Sequence, residues 1–164
     1  MSPVHVYYLG LGSNLGDRER NLRSAWEMLA PHCESRRLSS LYESEPMYVT
    51  EQPRFLNAVG EAVSRLAPAE MLNAIHEIEK QLGRDRSRER RNGPRTLDLD
   101  ILLCGTIVMD TPGLIIPHPR MGERGFVLVP LVELAPDLRD PRTGIRYAEM
   151  LPGAGGGVYS YPPR

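Results

Sequence analysis

The stretch Thr96-Leu97-Asp98-Leu99-Asp100-Ile101-Leu102-Leu103 alternates apolar residues with two aspartates, which narrows what the chain can fold into. Period-two alternation marks a half-buried β-strand, with Leu97, Leu99, Ile101 and Leu103 turned to a core. Side chains two apart on a strand share a face, so Asp98 and Asp100 stand about 6–7 Å apart at the base. Aspartate is a poor strand former, and two bare carboxylates at that spacing repel one another. A divalent cation relieves the repulsion, and hard oxygen donors without His or Cys favour magnesium over zinc. Asp98 and Asp100 are therefore the expected metal ligands.

Just upstream, residues 84–95 hold six arginines against Asp85 and Glu89, a local charge of +4 in a chain of net charge −1. A nucleic-acid-binding face spreads its positive charge more widely, whereas one dense loop suits a small polyanion. Arginine's planar fork grips phosphate oxygens in pairs, so Arg84, Arg86 and Arg95 are the expected phosphate contacts. Arg88, Arg90 and Arg91 are read as partly surface. An arginine loop beside a metal pair points to a polyphosphate held between them.

With 164 residues, 41% of them apolar and 25% charged, the chain suits one soluble domain with a real core. Cys33 and Cys104 fit no motif and read as free thiols. No basic segment followed by an apolar stretch opens the chain, and no apolar run reaches membrane-spanning length. A cytoplasmic protein without membrane or nucleic-acid partners is expected, and nothing demands more than a monomer.

The rest of the pattern supplies the frame. Val4–Leu11 reads as a strand, followed by a helix with Leu22, Ala25, Trp26 and Leu29 on one face, Asp17 as N-cap and Pro31 as stop. Leu38–Ser44 is a weaker strand. Phe55–Leu66 is another, with Leu56, Ala58, Gly60 and Ala62 suited to packing under a helix and Phe55 and Asn57 on the opposite face. Pro68 opens a second helix whose stripe is Met71, Ile75, Ile78 and Leu82, closed by Gly83. A short third helix carries Leu128, Leu131, Val132 and Ala135, with Pro130 early and Pro136 as terminator. The glycines of 153–157 suggest that about 153–164 is a flexible tail.

The order β-α-β-β-α-β is that of an α+β, ferredoxin-like sandwich: an antiparallel sheet with helices on one face and the active site on the other. Phe55, Asn57, Asp98 and Asp100 would then project from the shared open face. Gly10-x-Gly12 matches a dinucleotide fingerprint poorly and reads as a turn, with Asn14 available for a hydrogen bond. His118, framed by Pro117 and Pro119, reads equally as a structural turn residue or as a rigidly presented donor for a phosphate oxygen. Arg124-Gly125-Phe126-Val127 faintly matches an RNA-binding strand motif, which keeps a non-catalytic RNA-binding module as the alternative. Leu128, however, stands where such a module needs a second ring.

Taken together, Leu11-Gly12-Ser13-Asn14-Leu15-Gly16, Phe55-Leu56-Asn57-Ala58, Gly93-Pro94-Arg95-Thr96-Leu97-Asp98-Leu99-Asp100, Pro117-His118-Pro119 and Arg124-Gly125-Phe126 resemble the hydroxymethyl-dihydropterin pyrophosphokinases of the folate pathway. The resemblance runs from Tyr8 to about Asp137. It implies transfer of pyrophosphate from ATP to 6-hydroxymethyl-7,8-dihydropterin, with release of AMP and two magnesium ions held by Asp98 and Asp100. By position it makes Asp98, Arg84 and Arg95 catalytic. Arg84, Arg86, Arg95, Ile101, His118 and Arg124 become ATP contacts. Ser44, Glu45, Pro46, Met47, Phe55, Asn57 and Phe126 form the pterin pocket, with Phe55 and Phe126 sandwiching the ring. Arg91 and Asn92 stand where many relatives have a tryptophan, and Pro119 where tyrosine is frequent.

Overall fold

The computed structural model describes residues 2–46, 51–84 and 96–162. Its elements are β1 (His5–Ser13), α1 (Arg18–Met28), β2 (Ser35–Leu38), β3 (Leu41–Ser44), β4 (Phe55–Ser64), α2 (Pro68–Gln81), β5 (Asp98–Cys104), β6 (Met109–Thr111), β7 (Leu114–Ile116), α3 (Gly125–Leu134) and β8 (Val158–Tyr161). One antiparallel sheet runs β5-β1-β4-β3-β8, with β2 also pairing with β4, while β6 and β7 form a separate hairpin. The strand expected over Leu38–Ser44 starts earlier, at Ser35, and is interrupted. At the break Ser39 donates its amide to Val59 O (2.9 Å), and its Oγ accepts from Val59 N (3.0 Å). The serine side chain thus takes the place of a backbone carbonyl. Counting β2 and β3 as one broken strand, the topology is ferredoxin-like.

Helices α1 and α2 cover one face. Asp17 caps α1 by accepting from Arg20 N (3.1 Å). At the start of α2, Pro68 occupies the first turn and Glu70 reaches back to Ala67 N (2.9 Å). Gly83, at φ +92, follows the helix end as expected. Leu22, Ala25, Trp26, Met71, Ile75 and Ile78 pack against Tyr7, Leu9 and Leu11 of β1, Leu56, Ala58 and Ala62 of β4, and Leu99 and Ile101 of β5. Among the small residues of β4, Gly60 is the tightest: a β-carbon there would lie 2.3 Å from the Trp26 ring.

The other face carries a second apolar cluster in which Tyr8, Val59, Leu102 and Leu103 pack with Val127, Leu128 and Leu131 of α3. The third helix therefore lies across part of the face that also holds the site. It begins at Gly125, so Pro130 falls in its middle and not early, forgoing the amide bond that position would make. Two further expectations need correcting. A bulge in β5 pairs Tyr8 with Leu103 but Leu9 with Ile101, so Leu103 leaves the α1–α2 side and joins the second cluster. Nor is the end of the chain a loose tail, because β8 is the sheet's edge strand, in register with β3 from Leu41↔Tyr161 to Ser44↔Val158.

The Gly60–Trp26 contact sets a stability test. Gly60→Ala should cost about 2 kcal/mol, as overpacking does, and Trp26→Leu in the same chain should recover part of that loss. Urea unfolding of the single and double variants measures both effects.

Candidate active site

The open face of β1, β4 and β5 forms the floor of a cavity. Asp98, Asp100 and Leu102 reach it from β5, Phe55, Asn57 and Val59 from β4, and Gly10 and Gly12 from β1. Ser44 and Glu45 close one wall, and Arg124, Phe126 and Val127 at the start of α3 close the other. The strand registers explain the convergence, because Gly12 pairs with Asp98 on one side and with Asn57 on the other. A β-carbon at Gly12 would touch Asn57 Oδ1 at 3.4 Å and Phe55 Cδ1 at 3.8 Å. Gly10 and Gly12 are thus strand residues that keep the floor clear, and the turn expected there starts beyond Ser13. Asn14, 2% exposed, does find hydrogen bonds, donating to Gln52 Oε1 (2.8 Å) and Pro53 O (3.0 Å).

At one end of the cavity lies an acidic pair with a guanidinium clamped against it. Arg84 donates from Nη1 to Asp98 Oδ1 (3.0 Å) and to Glu79 Oε2 (2.5 Å). The same Glu79 oxygen accepts from Leu99 N (2.9 Å), the residue between the two aspartates. Glu79 is 1% exposed and absent from the expected site. Its signal is in the helix pattern: position 79 is four after Ile75 and falls on the buried stripe of α2, where a carboxylate has no apolar reason to be.

Burial pushes the Asp100 carboxyl above the ordinary carboxylate range, and the negative charge of Asp98 adds to the effect. Arg124 and Arg84 oppose the shift without cancelling it. Two carboxylates side by side in such surroundings would be stabilised by a bound cation. Among the described residues no three His, Cys, Asp or Glu side chains form a metal-binding group. Two carboxylates fit magnesium, which keeps waters and takes substrate phosphate oxygens instead of a full protein cage.

His118 follows from its surroundings in the same way. Burial, with Arg124 and Arg120 adding positive charge, pushes it down to about 4 although Asp98 pulls the other way. It is neutral at physiological pH. Arg120 N donates to His118 Nδ1 (3.2 Å), so the ring proton sits on Nε2 as a hydrogen-bond donor. Its own amide is tied to Leu102 O (2.9 Å), beside the cavity floor.

At the opposite end Asn57 Nδ2 donates to Ser44 Oγ (2.6 Å), and both residues are buried. The Arg124 guanidinium lies 5.6 Å from the centroid of the Phe126 ring. Pro46 is buried at the edge of this wall, while Met47, Arg86 and Arg95 lie outside the described residues. Ile101 is a correction. Its side chain, 4% exposed, points into the α1–α2 core, so only its backbone on the edge strand is available to a nucleotide. Val59, Leu102, Val127 and Gln52 also line the cavity, and sequence reasoning passed over them as core or loop. The RNA-binding alternative loses its main support, because Phe126 and Val127 lie in α3 and not on a strand.

Fold and site together define a ferredoxin-like α+β protein with a cleft on the sheet's open face, acidic at one end and aromatic at the other. Residues 8–136 match the family model described as 7,8-dihydro-6-hydroxymethylpterin-pyrophosphokinase. The chain is 45% identical over 141 residues to 2-amino-4-hydroxy-6-hydroxymethyldihydropteridine pyrophosphokinase of Bacillus subtilis, covering 85% of this chain and 83% of that protein. It is 49% identical over 127 residues to a folate synthesis bifunctional protein of Arabidopsis thaliana, covering 77% of this chain but only 26% of that protein's length. A crystal structure of Plasmodium falciparum HPPK-DHPS A437G with STZ-DHP shares the fold at TM-score 0.73 and 14% identity, over 92% of this chain and 45% of that one. The chain belongs to the 7,8-dihydro-6-hydroxymethylpterin-pyrophosphokinase family.

Two outcomes follow from this geometry. Because Asp100 holds its proton to higher pH when folded than when unfolded, the metal-free protein loses stability as pH rises from the carboxylate range towards neutrality. Asp100→Asn should remove that slope and raise Tm at pH 7.5 without metal by about 2–4 °C per kcal/mol relieved, as read by calorimetry across pH. Glu79→Ala should cost about 3 kcal/mol by removing the more buried of the two carboxylates that Arg84 meets and the acceptor of Leu99 N, whereas Glu79→Gln, which keeps an acceptor for Leu99 N, should cost less.

Proposed function

We propose that this chain transfers the β,γ-diphosphate of ATP to the hydroxymethyl group of 6-hydroxymethyl-7,8-dihydropterin, in folate synthesis. The hydroxymethyl oxygen attacks the β-phosphorus, the bond from that phosphorus to the oxygen bridging it to the α-phosphorus breaks, and AMP leaves with the bridging oxygen. The hydroxyl proton passes to solvent or to a nearby carboxylate. The observation that carries this reading is that the acid pair and an aromatic slot open into one cavity. That arrangement suits a reaction that brings a triphosphate against a second, flat-ringed substrate.

In this reading Phe55 and Phe126 sandwich the ring, while Asn57, Ser44, Glu45, Pro46 and Met47 recognise its polar edge. Arg84, fixed by Glu79, together with Arg86, Arg95, Arg124 and the Nε2–H of His118, contacts phosphate oxygens. Asp98 and Asp100 hold magnesium, in our reading two ions, which when bound neutralises triphosphate charge and favours in-line displacement. Asp98, beside the Arg84 guanidinium, orients the attacking hydroxyl. Which phosphorus is attacked is a matter of placement, because the chemistry at β and γ is alike. No helix among the described residues is long and apolar enough to cross a membrane. We read the protein as a cytoplasmic monomer whose partners are its two small substrates.

Incubation with ATP, magnesium and the pterin should release AMP in step with pterin consumed. Release of ADP would mean γ-phosphoryl transfer and overturn this reading. Asp98→Ala should lower turnover about a thousandfold while pterin binding stays measurable, and undiminished turnover would remove Asp98 from the metal site.

A further inference from the structure

The family match ends at residue 136, yet the segment beyond it touches both walls of the ring end of the cleft. After the 3-10 helix Tyr147–Gly153, the chain passes the start of α3. There Gly155 N donates to Glu123 O (2.9 Å), and Gly155 O accepts from Gly125 N (3.0 Å). These bonds bracket Arg124, two residues before Phe126. The contact is close: a β-carbon on Gly125 would lie 3.2 Å from Gly155 O and 3.2 Å from Val158 Cγ2.

Two residues on, Gly157 O accepts from Glu45 N (3.2 Å), and Val158 pairs with Ser44 in the β3–β8 ladder. The Tyr159 ring lies 4.7 Å from the Arg54 guanidinium carbon, and Arg54 pairs with Glu45 at 2.8 Å. A run of five residues therefore holds the Glu123–Gly125 turn on one side and both Glu45 and Arg54 on the other. Neither Gly155 nor Tyr159 lines the cavity.

We propose that Gly155–Tyr159 is a positioning strap for the ring-binding end of the cleft. It ties the Ser44–Glu45 wall to the Arg124–Phe126 wall and so sets the width of the slot between them. The inference rests on the pterin reading of that slot. The acidic end is built from β5 and α2 and meets the strap only through Arg124, inside the turn that Gly155 brackets. Loosening the strap at Tyr159, on the Glu45–Arg54 side, thus weakens recognition of the flat substrate and leaves nucleotide recognition intact.

The test uses full-length variants and the Michaelis constants for both substrates. Tyr159→Ala removes the ring from under Arg54, and Tyr159→Phe keeps it. Gly155→Pro removes the amide that donates to Glu123. Tyr159→Ala should raise the KM for the pterin about threefold, and the double variant about tenfold, in line with losing one exposed cation–π contact and then a backbone tie. The KM for ATP should stay within about twofold in Tyr159→Ala, whose contacts lie away from Arg124, and Tyr159→Phe should match the wild type. Equal changes in the two constants, or none in Tyr159→Ala, would overturn the strap. If Gly155→Pro fails to fold, Tyr159→Ala and Tyr159→Phe decide alone. A wild-type protein that does not consume the pterin would instead overturn the functional reading, and the strap with it.

Discussion

Two carboxylates that repel one another sit side by side on one strand, and the structure around them is arranged to keep them there. Asp98 and Asp100 project from β5 where burial and mutual charge make ionising both costly. A fold selected for stability alone would place apolar residues at these positions, as it does at Leu97, Leu99 and Ile101 on the other face. Instead Glu79 reaches from α2 to the amide between the two acids, and Arg84 is clamped between Glu79 and Asp98. The energetic cost of the pair is local, and on the proposed function a cation bound together with a triphosphate would offset it.

The cleft has two ends built by different means. Its acidic end is held by side-chain ion pairs and β5, which makes it sensitive to charge. Its aromatic end is held by packing and uncharged hydrogen bonds: the Asn57 side chain to that of Ser44, α3 on Val59 and Leu102, and the β8 backbone against β3. Reaction requires both ends to hold their substrates in line, so a small displacement at either is felt in turnover. Neutral His118, donating from Nε2, suits a phosphate oxygen because it adds a hydrogen bond without another buried charge.

Much of this was legible in the sequence. Period-two alternation put Asp98 and Asp100 on one face with Phe55 and Asn57, because strand geometry allows few alternatives. Helices α1 and α2 followed from their apolar stripes, Asp17 and Pro68. What escaped was whatever depends on tertiary neighbours. The bulge that turns Leu103 to the second cluster leaves no mark in an apolar run. Gly10 and Gly12 read as a turn because glycine signals both turns and close approach, and only the register with Asn57 separates the two. The glycines of 153–157 read as looseness, yet they carry the chain past Gly125 and into β8. Ile101 was assigned by resemblance, and its alternation with Asp100 already argued for the core. Glu79 was visible as a charge on an apolar stripe and was passed over.

The central claim is that Asp98 and Asp100 hold divalent cation against the triphosphate. Crystals grown with manganese, a non-hydrolysable ATP analogue and the pterin test it directly through anomalous scattering. The account predicts anomalous peaks within about 2.0–2.2 Å of carboxylate oxygens of both residues and of phosphate oxygens. Strong peaks on the phosphates alone, with both carboxylates turned away from the ions, would contradict it.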